Sequence, residues 1–171
     1  MKYIFLFLFA ICSEAVTAQT EEEKLRDLNL QLPPVSKPMA NYVKYVRTGN
    51  LLFLAGHGPT KADGTTITGK VGKDLSIEQG YEAAKITALG LLATIKDALN
   101  GDLSKVKRIV KINGYVNCLP DFTKQPKVIN GCSDLLVNIF GERGKHARAA
   151  MGMVALPNNI AVEIELIVEV E

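Results

Sequence analysis

The chain has 171 residues, 47% of them hydrophobic and 22% charged. That length suits one domain, or one domain with a tail, and the apolar fraction calls for a packed core rather than a disordered chain. A net charge of +2, with no basic stripe and no basic patch interleaved with aromatics, argues against a nucleic-acid partner.

Residues 1–18, MKYIFLFLFAICSEAVTA, differ in character from the rest. Lys2 precedes an apolar run from Tyr3 to Ile11, and the stretch ends on the small-residue trio Val16-Thr17-Ala18. This is the layout of a secretory signal peptide cut before Gln19. The run is short for a bilayer span, and a retained signal anchor is the alternative. Bulky Ile11 ahead of Cys12 speaks against lipid attachment. The expected destination is outside the cytoplasm, most simply a bacterial periplasm, with no stable membrane association after cleavage.

Residues 19–35 read as a short helix and a linker. Thr20 and Glu23 have capping-box spacing, Leu25, Leu28 and Leu32 make an apolar stripe, and Pro33-Pro34 ends it. The main domain, residues 36–171, opens with a hairpin turning at Thr48-Gly49-Asn50. A loop with a short extended piece at Thr66–Val71 follows. The strongest helical pattern spans Ser76 to Asn100, where Tyr81, Ala84, Ala88, Leu92, Ile95 and Leu99 recur at helical spacing. Ser76 with Gln79 suits its cap, and Gly90 inside it points to a close neighbour.

A strand is expected from Val106 to about Tyr115, then a second helix between about Phe122 and Phe140, with Gly131 as a weak point. The final stretch, GKHARAAMGMVALPNNIAVEIELIVEV (residues 144–170), reads as a second hairpin with a proline in its turn. Two hairpins, two long helices and an intervening strand predict an α+β fold with both helices on one face of a mixed sheet.

The sequence contains no P-loop, dinucleotide fingerprint, HExxH or G-x-S-x-G, and GHGPTKADG lacks the spacing of a phosphate cradle. After cleavage Cys118 and Cys132 remain, and export permits one disulfide; free thiols are the other outcome. With only His57 and His146 as histidines, no metal site and no cofactor are expected. Arg148 and Glu163 lie beside long apolar runs. The arginine is either an edge-strand residue facing solvent or paired to Glu163, or a planar fork for a substrate carboxylate. Glu163 and Glu165, two apart, share a strand face.

NYVKYVRTGNLLFLAGHGP, QPKVING and HARAAMGMVALPNNIAVEIELIVEV resemble the Rid family, also called YjgF/YER057c/UK114 or endoribonuclease L-PSP, over about residues 36–171. The chain is most similar to its longer branch. The resemblance implies a chorismate-mutase-like fold, a homotrimer with a central barrel of sheets, and clefts between subunits. It also implies hydrolysis of reactive enamines and imines, such as 2-aminoacrylate, to 2-oxo acids and ammonia, without metal or cofactor. Arg148 matches the residue holding the substrate carboxylate and Glu163 the one beside the attacking water. Tyr42 matches the cleft tyrosine and Asn130 the helix-borne asparagine. Ala55 stands where the family has a serine, and Ala150 where it has a cysteine; His57, following Gly56, is expected either at the cleft mouth in partial replacement or as a surface histidine with no role. Non-catalytic binding of small carboxylates in the same cleft is the second function the resemblance allows.

Overall fold

The structure, a computed structural model, describes residues 19–35 and 40–171, so the expected signal peptide lies outside the described residues. The first helix, α1 (Glu21–Asp27), begins as the sequence predicts. Thr20 Oγ1 accepts the Glu23 amide at 3.2 Å, and the Glu23 carboxylate accepts the Thr20 amide at 2.8 Å. Buried Glu21 pairs with Arg143, and Lys24 donates to the Ile139 carbonyl at 2.8 Å, which clasps α1 to the far end of the domain.

The hairpin is β1 (Tyr45–Thr48) and β2 (Leu51–His57), in antiparallel register with Val46 opposite Phe53. Next comes α2 (Ile77–Ala98), started by a second reciprocal cap between Ser76 and Gln79. Then follow β3 (Val106–Asn117), α3 (Gln125–Phe140), β4 (Ala147–Met153) and β5 (Val162–Val170). The strands form one mixed sheet in the order β1-β2-β5-β3-β4.

The second expected hairpin does not form. β4 and β5 are separated by β3, to which β4 runs parallel and β5 antiparallel. The chain crosses over through α3 to place β4 at the sheet edge, and the Pro157–Asn159 turn then returns it to the middle. Local alternation specifies strands but not partners. Nine residues of strict burial alternation in β5 mark a strand with one covered face, and β2 and β3 flank it on either side.

Both long helices lie on one face. Leu52 and Leu54 of β2, Ile109, Ile112 and Val116 of β3, and Ile164, Leu166 and Val168 of β5 are buried in one cluster with side chains of α2 and α3. Each such aliphatic side chain contributes about 1.5–3 kcal/mol when fully buried. The two helices approach closely at Gly131, where an added Cβ would overlap the Tyr81 carbonyl of α2. The weak point in the helical pattern is thus the contact that lets α2 and α3 pack. Cys118 and Cys132 are free and buried, so the thiol outcome holds over the disulfide, and burial pushes the Cys132 thiol up to about 12.

Candidate functional site

Arg148 lies on edge strand β4 in register with Ile112, so its side chain leaves the sheet on the helix-covered side. There α3 receives it. Arg148 Nη1 donates to Asn130 Oδ1 at 2.8 Å and to Ser133 Oγ at 2.9 Å. Asn130 and Ser133 are three residues apart, which stacks them on one helix face. Nη1 has two protons and both are engaged. The Nε–H and Nη2–H groups, which make the guanidinium fork, have no hydrogen-bond partner among the described residues. The structure therefore brings Arg148 and Asn130 together and sets Ser133 and His146 beside them. His146 Nε2 lies 3.0 Å from Ser133 Oγ, and its Nδ1 lies 2.6 Å from the Gly144 carbonyl.

Glu163 is elsewhere. It pairs with Tyr115 on the face of the sheet that no helix covers. Glu165 follows on the same face and accepts from Asn113 Nδ2 at 3.3 Å and from Tyr115 Oη at 3.2 Å. Burial, with the neighbouring Glu165 charge, raises the Glu163 carboxyl above its ordinary value. The Tyr115 hydroxyl is likewise raised, by burial first and then by Glu165. Glu163 rests against Gly56 of β2, where a Cβ would overlap its carboxylate. One strand and the thickness of the sheet thus separate Arg148 from Glu163. The architectural reading of Arg148 paired to Glu163 fails for that reason, and Arg148 makes no ion pair among the described residues.

His57 lies apart from both Arg148 and Glu163. It ends β2 beneath α2, only 8% exposed. Its Nδ1 lies 2.7 Å from the Ala55 carbonyl and its Nε2 2.8 Å from Thr94 Oγ1. Burial brings its pKa down to about 4, so the ring is neutral near pH 7. The bulge between Leu54 and His57 turns the ring toward the helices. It lines a cavity of about 270 Å³ with Lys44, Thr94 and the Pro33–Val35 linker. A Cβ at Gly90 would meet the ring edge only in ordinary van der Waals contact, 3.7 Å away, so the close neighbour expected there is not present. From β2 to β4 is three strand spacings, roughly 14 Å, so His57 and Arg148 share no cleft within one chain. Tyr42 precedes β1, at the opposite sheet edge from β4, and its ring is exposed.

The residues of the expected cleft therefore divide into two half-sites. One is the Arg148–Asn130–Ser133–His146 cluster at the β4–α3 edge. The other is the Glu163–Glu165–Tyr115 group, with Gly56, on the uncovered sheet face. Ser133 and His146 escaped the sequence reading. The available signal was spacing: His146 lies two residues before Arg148, and Ser133 three after Asn130.

Comparison with known proteins agrees with this architecture. The family described as "YjgF/chorismate mutase-like, putative endoribonuclease" matches residues 22–170. Protein TCP17 of Trypanosoma cruzi is 43% identical over 146 residues, covering 85% of this chain and 91% of its own. The crystal structure of Atu1372 from Agrobacterium tumefaciens, a protein of unknown function, superposes with a TM-score of 0.82 at 44% identity, covering 88% of this chain and 92% of its own. A structure from Shewanella oneidensis MR-1 gives 0.85 at 33% identity, covering 89% and 100%. A match over nearly the whole chain, on the same mixed sheet with its helices on one face, makes this protein a member of the YjgF/Rid family.

Proposed function

We propose that the chain hydrolyses small imines and enamines that carry a carboxylate, releasing 2-oxo acids and ammonia, in a cleft shared between copies of the chain. The observation that carries this reading is the Arg148 fork. Asn130 and Ser133 hold one edge of the guanidinium, and the bidentate edge is open to a planar carboxylate.

The chemistry asks little more. An enamine tautomerises to an imine, whose carbon is already electrophilic. Arg148 orients it through the carboxylate. Water adds to the imine carbon as Glu163 accepts a water proton and returns it to nitrogen, giving a carbinolamine; its hydroxyl proton then passes to nitrogen through Glu163 as the carbon–oxygen double bond forms, the carbon–nitrogen bond breaks, and ammonia leaves the 2-oxo acid. Burial suits Glu163 to the task, because a raised carboxyl is a stronger base than an exposed one.

Glu163 must come from a second copy, since within one chain it faces the other side of the sheet. Val46, Phe53 and Met151 are exposed apolar side chains on the strands of a lone subunit, which supports assembly. A homotrimer closing its sheets into a barrel meets both needs. Family membership supports the reaction class, with a small carboxylate-bearing imine as partner and no nucleic acid. Export, to a periplasm or its equivalent, is proposed on the composition of residues 1–18 alone.

A second reading, binding of small carboxylates without turnover, is favoured by Ala55 and Ala150, which leave no hydroxyl and no thiol at those positions. The deciding experiment supplies imino acids generated in situ by an amino-acid oxidase and follows ammonia and 2-oxo acid. Turnover that disappears in Arg148→Ala supports the deaminase. Background rates from the parent chain, with Arg148-dependent binding intact, support the binder.

A further inference from the structure

His146 is half-buried, and its two ring nitrogens are both engaged. A carbonyl only accepts, so Nδ1, 2.6 Å from Gly144 O, carries a proton in either charge state of the ring. In the neutral ring Nε2 is bare and accepts the Ser133 hydroxyl at 3.0 Å. The Ser133 proton is then committed, and its oxygen accepts from Arg148 Nη1 at 2.9 Å. A backbone carbonyl thereby fixes an imidazole, the imidazole fixes a hydroxyl, and the hydroxyl fixes the guanidinium.

Adding a proton to His146 rearranges this chain without breaking it. Nε2–H now donates to Ser133 Oγ, whose two lone pairs accept from both His146 and Arg148. The Ser133 proton is released to a new acceptor. Two cations then stand on either side of one hydroxyl, which is unfavourable in an empty site and favourable beside an anion.

We infer that His146 is a positioning residue for the carboxylate clamp, holding Arg148 through Ser133 and taking up a proton when a carboxylate occupies the guanidinium fork. The inference rests on the proposed role of Arg148 as that clamp.

The surroundings leave His146 few other partners. From α3, Ser133 and Asn130 face this cluster, while Asp134 turns away and accepts from Tyr81 Oη at 2.9 Å. In the Gly141–Gly144 turn, Glu142 pairs with Lys145 at 2.8 Å and Arg143 with Glu21. Lys111 on β3 is exposed opposite Ala147, and Glu163 and Glu165 occupy the other sheet face. No carboxylate pairs with His146 among the described residues. Burial, with the Arg148 charge, holds the imidazole below its ordinary value. A carboxylate on Arg148 offsets that charge, and by reciprocity a protonated His146 strengthens anion binding.

The test uses the full chain and pyruvate, a 2-oxo acid of the product class. With two histidines in the sequence, His146→Gln assigns the imidazole resonances in a proton NMR titration. Saturating pyruvate is expected to raise the His146 midpoint by roughly half a unit or more. Calorimetry in two buffers of different ionisation enthalpy, run across a pH series, should show proton uptake on binding. His146→Gln, whose amide still accepts from Ser133, should bind pyruvate with no proton uptake and a flat pH dependence. His146→Leu, which loses the anchor as well, should bind several-fold more weakly than His146→Gln. Pyruvate binding with an unmoved His146 midpoint, or proton uptake persisting in His146→Gln, overturns the inference and leaves the clamp standing. No pyruvate binding at any pH overturns both.

Discussion

Gly56 and Glu163 are coupled by space: the carboxylate of one lies where the other would have its Cβ. The backbone of β2 thus forms the floor under the proposed base. Gly56→Ala should displace a flexible carboxylate rather than the sheet, with a stability cost of about 1 kcal/mol and turnover lower by about tenfold. Melting temperature and kcat, measured side by side, separate the two effects. An unchanged kcat would remove Glu163 from the reaction.

If each cleft takes Arg148 from one copy and Glu163 from its neighbour, two inactive variants can repair one another. Arg148→Ala and Glu163→Ala should each be inactive. Mixed in equal amounts through mild unfolding and refolding, they should regain about a quarter of the parent's sites. Zero recovery, with the assembly re-formed, would refute the shared cleft.

Gly131 predicts a stability effect with no chemistry in it. A methyl group there meets the Tyr81 carbonyl, and backbone cannot step aside as a side chain can. Gly131→Ala should cost about 3 kcal/mol and lower Tm by roughly 6–12 °C. Thermal unfolding followed by circular dichroism would measure it.

His57 should make the fold acid-sensitive. Its folded value, about 4, lies below the 6.5 expected of an unfolded histidine. Between these values the unfolded chain binds the extra proton and the folded chain does not, so stability falls as pH drops from 6.5 toward 4. The contribution is on the order of 2–3 kcal/mol. Denaturant midpoints for the parent and His57→Gln should converge at low pH and separate above it. Parallel pH profiles would contradict the assignment.

Glu163 has the opposite sign. Its carboxyl is raised in the folded state, so ionising it opposes folding, and stability declines as pH rises from 4.5 through the raised value. Activity runs the other way, because only the ionised form accepts a water proton. The acid limb of kcat/KM should therefore sit above the usual carboxylate range. In Glu163→Gln that limb should vanish along with most of the rate.

The parts of the fold legible in sequence were those written locally. Both capping boxes, the first hairpin turn, the long helix and the alternation of β5 follow from residues two to four apart. The β4–β5 pairing was misjudged because register is set by contacts between distant segments. Ile112 and Arg148 stand opposite each other although 36 positions apart in sequence, and nothing near Arg148 announces that. The same gap hid the division of the site. Strand parity placed Glu163 and Glu165 on one face correctly, but it could not say which face Arg148 shares. The bulge after Leu54 turns His57 under the helices, which strand alternation alone does not show. Ser133 and His146 are ordinary polar residues until the fold sets them beside the guanidinium.

β4 has one further consequence. It is the outermost strand, seven residues long, with β3 on one side only. Its other side has no strand partner among the described residues and presents a row of backbone amides and carbonyls, between small and apolar side chains with a single charge, Arg148. Such an edge templates strand addition, and if partners join without closing a ring, addition continues. Ring closure would thus do two jobs: completing the clefts and terminating growth. Under crowding or partial unfolding, Ala147–Met153 is where runaway polymerisation of this protein would begin, and a lysine placed at Ala149 is the guard to introduce there.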